Sequence, residues 1–245
     1  AASDVYKRQE LGGKEKVERQ HKANRNTIRE RINLFFDKDS FQEFGMLSGQ
    51  STYKETGELE NFLPANSIIG HGLVNQQSIA FYGDDFTVRG GAADASIWEK
   101  MVAAEKLANE YEIPLVRFIE GTGGGGSVKS LEKQGSTYVP FNPGWDKVIE
   151  NLSKIPVISL ALGPVAGLGA ARLVSSHYSI MVRKVSQIFV AGPPLVEKIG
   201  EKVTKEELGG SEVHGSCLLY TSPSPTRLLS LWFAGFCFKK KVGGG

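Results

Sequence analysis

Two glycine-rich turns are the strongest chemical signal in the sequence. The first reads E-G-T-G-G-G-G-S over residues 120–127, and the second reads G-P-V-A-G-L-G-A-A over residues 163–171. Because glycine has no Cβ, its backbone N–H groups can approach a ligand closely, and a following helix adds partial positive charge. Two such turns can form an oxyanion hole, in which amide donors favour an enolate over the parent thioester carbonyl. The spacing is equally compatible with tight turns that bind nothing.

Three other glycine-loop sites fit the spacing poorly. A phosphate-binding loop requires lysine where Ser127 stands, and a dinucleotide-binding loop requires glycine where Arg172 stands. A nucleophile elbow around Ser127 requires a final glycine, but Lys129 occupies that position. The sequence therefore does not support a nucleotide-binding loop or a serine hydrolase.

The remaining titratable residues give weaker signals. The four histidines, none at a metal-ligand spacing from another, are His21, His71, His177 and His214. We expect surface or packing roles for them and no metal site. The pair Asp84 and Asp85 lies at the end of a predicted strand, where adjacent carboxylates more often belong to a turn or a helix-side charge than to acid–base chemistry.

The composition is that of an ordinary globular protein. The chain has 245 residues, 40% hydrophobic and 23% charged, which is enough to bury one sizeable core. A net charge of +2 argues against a nucleic-acid partner. Cys217 and Cys237 are too few for a disulfide framework, and no stretch reaches the ~20 apolar residues of a membrane helix. We expect a soluble, unexported protein with no membrane partner.

Apolar runs and turns predict an α/β fold. The runs Leu115–Ile119 and Val157–Leu162 precede the two glycine turns and suit strands buried on both faces. Helical sequence follows at 170–174, and further short runs follow at 179–182 and 187–190 before a helical stretch to Ile199. Strands that alternate with helices in this way favour neither a sandwich nor a bundle.

The first half of the chain predicts four further segments. The runs Ser67–Val74 and Gln77–Asp85 predict a hairpin. An Ala-rich helix is expected over Ala92–Glu110, and an amphipathic helix over Lys14–Phe36. Gln50–Ala65 is polar and is predicted to be a loop.

Both ends of the chain depart from this pattern. The segments AASDVYKRQ, at the start, and CLLYTSPSP, from Cys217, resemble translated adaptor sequence. We hypothesise that residues 1–9 are a non-native leader, that 10–215 form the domain, and that 216–245 are a non-native tail. Peptides from 217–245, recovered by mass spectrometry of the natural protein, would refute this hypothesis.

A series of motifs between Gly12 and His214 resembles one family. Gly163–Gly167 is similar to G-P-x-A-G, Phe189–Pro193 to F-[IV]-[AT]-G-P, and Val203–Gly210 to V-T-x-E-E-L-G-G. Their order resembles the carboxyltransferase (β) subunits of acetyl-, propionyl- and methylcrotonyl-CoA carboxylases and the related biotin-dependent decarboxylases. An earlier stretch, residues 84–91, is similar to D-F-T-x-x-G-G. The first glycine turn lacks the arginine of the family's D-S-G-G-A-R form.

The resemblance implies a crotonase-like fold, a spiral of ββα units, with an oxyanion hole between the two turns. The implied catalytic amides are those of Gly123, Gly124, Gly125, Ala166 and Gly167. The implied cofactor-binding positions are Gly126, Gly163, Pro164, Leu168 and Gly169. No metal is implied.

The resemblance also implies an activity. The family transfers a carboxyl group from carboxybiotin, carried on a partner protein or domain, to the α-carbon of an acyl-CoA. Biotin freed of its carboxylate takes the α-proton, so no side-chain base is required. The implied partners are a biotin carrier and a biotin carboxylase component, with homo-oligomers usual and a cytoplasmic or mitochondrial matrix location. A second domain completes the site in the family, so we expect this chain to be inactive alone.

Three alternatives stay open. A decarboxylase subunit that runs the reverse transfer shares every motif. A hydratase or isomerase of the same fold needs an acidic side chain in the acyl pocket, and Glu120 is the only loop candidate. The third alternative is a CoA-binding scaffold without activity.

Overall fold

The computed structural model describes residues 10–92, 97–121, 144–215 and 220–222, and its strands and helices are interleaved as predicted. The strands are β1 (Gln42–Phe44), β2 (Gly49–Tyr53), β3 (Leu59–Pro64), β4 (Ser67–Val74), β5 (Gln77–Asp84), β6 (Leu115–Gly121), β7 (Val157–Ala166), β8 (Tyr178–Val182), β9 (Gln187–Phe189) and β10 (Tyr220–Ser222). The helices are α1 (Lys14–Lys22), α2 (Ile28–Phe35), α3 (Trp98–Tyr111), α4 (Trp145–Lys154), α5 (Leu168–Val174), α6 (Pro193–Lys198), α7 (Lys205–Gly209) and α8 (Ser211–Gly215).

In the described ranges, one large sheet has the strand order β1-β4-β5-β6-β7-β8-β10, and β9 also pairs with β7. Strands β1, β4 and β5 are antiparallel neighbours, whereas β5 to β8 run parallel. Parallel neighbours require a crossover, and α3, α4 and α5 lie in the three connections. The carboxyl ends of β5, β6 and β7 therefore meet at one edge of the sheet.

Side chains cover this sheet on both faces. Every residue of β6 and β7 is buried, as the continuous apolar runs predicted. On one face, Phe35 at the end of α2 and the adjacent Phe36 pack with Phe81 and Phe118. The ring centroids of Phe81 and Phe118 are 4.9 Å apart. On the other face, Ala108 of α3 belongs to a cluster with strand residues such as Leu115 and Val157. Burial on both faces explains why these strands lack an alternating pattern.

The predicted hairpin is confirmed as β4 and β5. Val74 pairs with Gln77, and the two turn residues, Asn75 and Gln76, have φ values of 47° and 65°. Two consecutive positive φ values are typical of a type I′ hairpin turn. The Asp37 carboxylate accepts hydrogen bonds from the Asn75 amide at 3.0 Å and the Gln76 amide at 2.8 Å.

The predicted helix over Lys14–Phe36 is wrong in its continuity, because two helices occupy this segment. Asn24, between them, has a φ of 55°, which ends the first helix. Thr27 then caps α2 through a capping box: its hydroxyl accepts from the Glu30 amide at 3.3 Å, and the Glu30 carboxylate accepts from the Thr27 amide at 2.7 Å. The Ala-rich helix is confirmed but begins at Trp98 rather than Ala92.

The predicted loop over Gln50–Ala65 is also wrong, because β2 and β3 form a separate two-stranded sheet. β2 is polar and almost fully exposed, and the apolar residues of β3 do not alternate with polar ones, so neither strand has a regular pattern to detect. In the part of the chain that the structure describes, no helix has the length and apolar character of a membrane span.

Candidate functional site

Three glycine segments approach one another at the carboxyl ends of the parallel strands. Strand β6 ends at Gly121, which is opposite Val165 of β7. Gly91, with a φ of 69°, packs backbone to backbone on this end, since a Cβ built on it would lie 2.7 Å from Gly121 Cα. Ligands of open α/β sheets bind at such carboxyl ends. The first predicted glycine turn therefore begins beside the second.

The second glycine turn is tighter than predicted. Strand β7 continues to Ala166, and α5 begins at Leu168, so Gly167 alone makes the turn. Its φ of 58° and ψ of −123° are accessible to glycine but strained for other residues. The predicted turn over 163–169 is wrong in its bounds. Tertiary pairing of Ala166 with Phe189 extends the strand.

The backbone amides of this turn differ in their partners. The Gly167 N–H, a predicted oxyanion donor, donates to the Phe189 carbonyl at 3.1 Å. Among the residues that the structure describes, no acceptor engages the N–H groups of Leu168 and Gly169. They belong to the first turn of α5, where amides have no partner within the helix. Leu168 and Gly169 thus offer the donors that a bound oxygen atom could use.

The remaining predicted site residues divide into two groups. Gly163 and Pro164 are buried inside β7. A Cβ on Gly163 would lie 2.2 Å from Glu120 Oε1, so close packing against Glu120 requires a glycine at position 163. A ligand-binding role for Gly163 or Pro164 stays a prediction. Gly123, Gly124, Gly125 and Gly126 lie outside the described residues.

Glu120, considered above as a pocket acid, is instead a buried anchor. Its Oε1 accepts from Gln20 Nε2 at 2.8 Å and lies 3.2 Å from Arg25 Nε, and its Oε2 lies 2.6 Å from Arg31 Nη1. Arg31 also donates to the Leu162 carbonyl at 3.1 Å. Because cations from the α1–α2 region neutralise both of its oxygens, Glu120 fixes these helices on the sheet. This geometry disfavours the hydratase or isomerase alternative.

A second buried network lies under α5. Glu105 of α3 accepts from Arg117 Nε and Nη2, both at 2.9 Å, from Arg172 Nη2 at 2.8 Å and from Asn151 Nδ2 at 3.0 Å. Arg117 Nη1 also donates to the carbonyls of Arg172 and Ser175, which ties down the end of α5. Burial raises the pKa of Glu105, but the charges of Arg117 and Arg172 outweigh it and hold this pKa below its ordinary value.

Asp84 connects the ends of two strands. Its Oδ1 accepts from the Tyr82 hydroxyl at 2.6 Å, and its Oδ2 accepts from the Glu120 amide at 3.1 Å. Burial raises the pKa of Asp84 to about 6, against the lowering effect of the Tyr82 hydrogen bond and the Arg172 charge. Asp85, in contrast, accepts from the Thr87 amide at 3.0 Å, a turn role as predicted. No sequence signal distinguishes these two neighbours.

The histidines occupy packing and surface positions. His177 Nδ1 accepts from the Val157 amide at 3.0 Å, and His214 Nε2 lies 2.9 Å from the Ile188 carbonyl oxygen. His21 pairs with Glu30 at the surface. Within the described ranges, no group of three or more His, Cys, Asp or Glu side chains is arranged to hold a metal ion.

Comparisons with known proteins point to one family. The carboxyl transferase domain matches residues 19–217. The chain is 31% identical to a propionyl-CoA carboxylase carboxyltransferase subunit of Haloferax mediterranei over 84% of its own length and 39% of the relative's. It is 31% identical to a methylmalonyl-CoA decarboxylase subunit alpha of Veillonella parvula, covering 84% of this chain and 40% of the relative. It is 33% identical to a mitochondrial methylcrotonoyl-CoA carboxylase beta chain of Arabidopsis thaliana, covering 83% of this chain and 34% of the relative.

Solved structures agree with this assignment. A transcarboxylase 12S structure with methylmalonyl-CoA bound superposes with a TM-score of 0.75 at 26% identity, covering 93% of this chain and 44% of that chain. The geranyl-CoA carboxylase beta subunit of P. aeruginosa has the same fold, with a TM-score of 0.69 at 23% identity over 94% of this chain and 43% of that one. The chain thus spans about 40% of the length of these relatives. With its family match, its glycine turns and its fold taken together, the chain belongs to the carboxyl transferase domain family and has the crotonase-like fold that the motifs predicted.

Proposed function

We propose that this chain is the acyl-CoA-binding part of a biotin-dependent acyl-CoA carboxyltransferase. One observation carries the proposal: backbone amides at Leu168 and Gly169 stand without acceptors among the described residues, beside the start of the first glycine turn. Membership of the carboxyl transferase family supports the same conclusion, because its named relatives include propionyl- and methylcrotonoyl-CoA carboxylase subunits. The arrangement suits a thioester carbonyl that must carry negative charge.

In the proposed mechanism, the chain binds the thioester oxygen and stabilises the enolate that forms when the α-proton leaves. The second-turn donors are the amides of Leu168 and Gly169, because the Gly167 N–H already donates to the Phe189 carbonyl, and the first-turn donors come from Gly123–Gly125. Each preorganised donor contributes about 2.7–4 kcal/mol at the oxyanion stage. Carboxybiotin, delivered by a partner, would supply the carboxyl group that the enolate carbon accepts, and the biotin freed of its carboxylate would take the α-proton. Glu120 and Asp84 hold the strand ends rather than move the α-proton.

The assembly and direction of transfer follow as further proposals. We propose a biotin carrier and a biotin carboxylase component as partners, and a homo-oligomer, which the hexamer assembly of transcarboxylase 12S supports. The decarboxylase direction is a second candidate, because a decarboxylase subunit is 31% identical to this chain. We place the folded domain at residues 10–215, supported by the family match over 19–217. A cytoplasmic or mitochondrial matrix location agrees with the mitochondrial relative.

Calorimetric titration of the chain with acetyl-CoA and propionyl-CoA tests the proposal. We expect saturable binding by the wild type and weaker binding by Gly167→Ala. Gly167 has a φ of 58° and a ψ of −123°, so an alanine there distorts the turn at a cost of about 1–3 kcal/mol.

A matched control is Gly57→Ala. Gly57 also has a positive φ, 80°, but it lies in the β2–β3 turn with open space around its Cα. The control should lose some stability through backbone strain and keep its affinity for acyl-CoA. Equal affinities for all three proteins, or no binding by the folded wild type, would contradict the proposed site.

A further inference from the structure

Two arginines share one buried carboxylate at the carboxyl edge of the sheet. The Glu120 side chain is 1% exposed, and its oxygens lie 2.6 Å from Arg31 Nη1 and 3.2 Å from Arg25 Nε. Gln20, a neutral donor, also binds this carboxylate. Two cations against one carboxylate leave this cluster with a single positive charge in excess. Because a charge away from water is costly without a counter-charge, the excess favours an anion beside it.

Arg25 is the member of this cluster with unused donors. Its Nε atom is buried and faces Glu120, and its guanidinium carbon lies 5.0 Å from the centroid of the Phe86 ring. Among the residues that the structure describes, no acceptor engages Nη1 or Nη2 of Arg25. Arg31, in contrast, also donates to the Leu162 carbonyl. Burial lowers the pKa of Arg25, the Glu120 charge raises it, and the Arg31 charge lowers it again, as expected for a cation that is only partly neutralised.

The position and the fixed orientation of Arg25 suit a ligand contact. Phe86 follows the end of β5, and Glu120 belongs to the end of β6, so Arg25 lies at the edge where ligands of open α/β sheets bind. Its side chain is 14% exposed, which leaves part of it accessible. A planar guanidinium held between a ring and a carboxylate presents a preorganised pair of donors, and this geometry matches phosphate oxygens.

We propose that Arg25 binds a phosphate group of the ligand through the Nη1 and Nη2 donors that Glu120 leaves unused. The inference rests on the proposed function, since an acyl-CoA carries a diphosphate and a 3′-phosphate in its nucleotide half. These groups supply the negative charge that the cluster around Glu120 lacks. Arg25 thus acts on the nucleotide half of the ligand and makes no contact with the thioester.

The test compares two ligands that share the acetyl thioester. Acetyl-CoA carries the phosphorylated nucleotide, whereas S-acetylpantetheine lacks it, so the ratio of their dissociation constants, measured by calorimetry, reports recognition of the nucleotide half. For the wild type we expect acetyl-CoA to bind at least about tenfold more tightly, the equivalent of one charge-assisted contact. S-acetyl-dephospho-CoA, which lacks only the 3′-phosphate, distinguishes that group from the diphosphate as the one that Arg25 binds.

Three variants isolate the contribution of Arg25. Arg25→Gln should lower the preference for acetyl-CoA about tenfold and leave the affinity for S-acetylpantetheine unchanged. Arg25→Lys keeps the positive charge but loses the paired donors, so the preference should fall by about threefold. Arg19→Gln is the matched control, because it removes one positive charge from α1 at a side chain that is 68% exposed and paired with Glu15. This control should keep the wild-type preference.

The possible outcomes distinguish this inference from the proposed function. A folded wild-type protein that binds neither ligand overturns the proposed function and the inference with it. Equal affinities of the wild type for both ligands overturn the inference alone, as does an Arg25→Gln variant that keeps the wild-type preference or weakens both ligands alike. Should Arg25→Gln fail to fold, Arg25→Lys decides: an unchanged preference in that variant refutes a contact through the guanidinium donors.

Discussion

Glu105→Gln tests the buried ionic network most severely. Glu105 is 1% exposed and is the shared partner of Arg117, which is 0% exposed, and Arg172, which is 3% exposed. The change keeps the size of the side chain but removes the carboxylate that Arg117 and Arg172 share. Breaking a buried ion pair from one side costs about 3–5 kcal/mol. Against a typical unfolding free energy of about 5–15 kcal/mol, we expect the variant to lose about a fifth or more of its stability.

Urea unfolding followed by circular dichroism measures this loss. A matched control is Glu150→Gln, because the Glu150–Lys147 pair is exposed and should contribute nothing measurable. The pKa of Glu105 is lowered below its ordinary 4.5, so its contribution is present above about pH 4.5 and is lost as pH falls through the lower folded value. The wild-type and variant stabilities should therefore converge in acid. A loss below about 1 kcal/mol at neutral pH, with an unchanged denaturant slope, would refute the reasoning.

Three further predictions concern stability. Gly91→Ala should lower the free energy of unfolding by at least about 1–3 kcal/mol, because the φ of 69° is strained for alanine and the new Cβ would lie 2.7 Å from Gly121 Cα. A melting temperature no lower than that of Gly57→Ala would contradict this close approach. Thr27→Ala should lower the free energy of unfolding by about 1 kcal/mol, because it removes the cap of α2. An unchanged midpoint of urea unfolding would show that the capping box is dispensable. The pKa of Asp84 is raised in the folded state to about 6 from an ordinary 3.8, so its contribution to stability falls as pH rises from about 4 to about 6. Asp84→Asn should lack this slope in urea unfolding, and parallel pH profiles for the two proteins would be inconsistent with a buried Asp84.

Regular apolar patterns made the parallel core predictable from sequence. The runs before each glycine turn became β6 and β7 because buried strands need continuous apolar sequence, and the hairpin β4–β5 followed from its β-rich runs. The break between α1 and α2 was missed because apolar spacing continues across it. It depends on the local geometry of Asn24 and the cap at Thr27. The β2–β3 hairpin was missed because its exposed side chains have no core-facing pattern.

Long-range polar contacts were beyond sequence reasoning. Arg172 meets Glu105 across 67 residues, and Gln20 meets Glu120 across 100, with no periodic signal that links either pair. For this reason Glu120 was considered a pocket acid although cations enclose it. The strand extension to Ala166, which shortens the predicted glycine turn, depends on the pairing of Ala166 with Phe189. The fold could be predicted, whereas the supporting charges could not.

The carbonyl stretching frequency of bound acetyl-CoA tests the central claim most directly. Acetyl-CoA labelled with carbon-13 at the thioester carbonyl would be measured by difference infrared spectroscopy, free and bound to the chain. Amide donors aimed at the oxygen polarise the C=O bond, so we predict a band shifted to lower frequency on binding, with the shift reduced in Gly167→Ala. A bound thioester whose carbonyl band stays at the free frequency would contradict the claim that these glycine turns hold the oxygen.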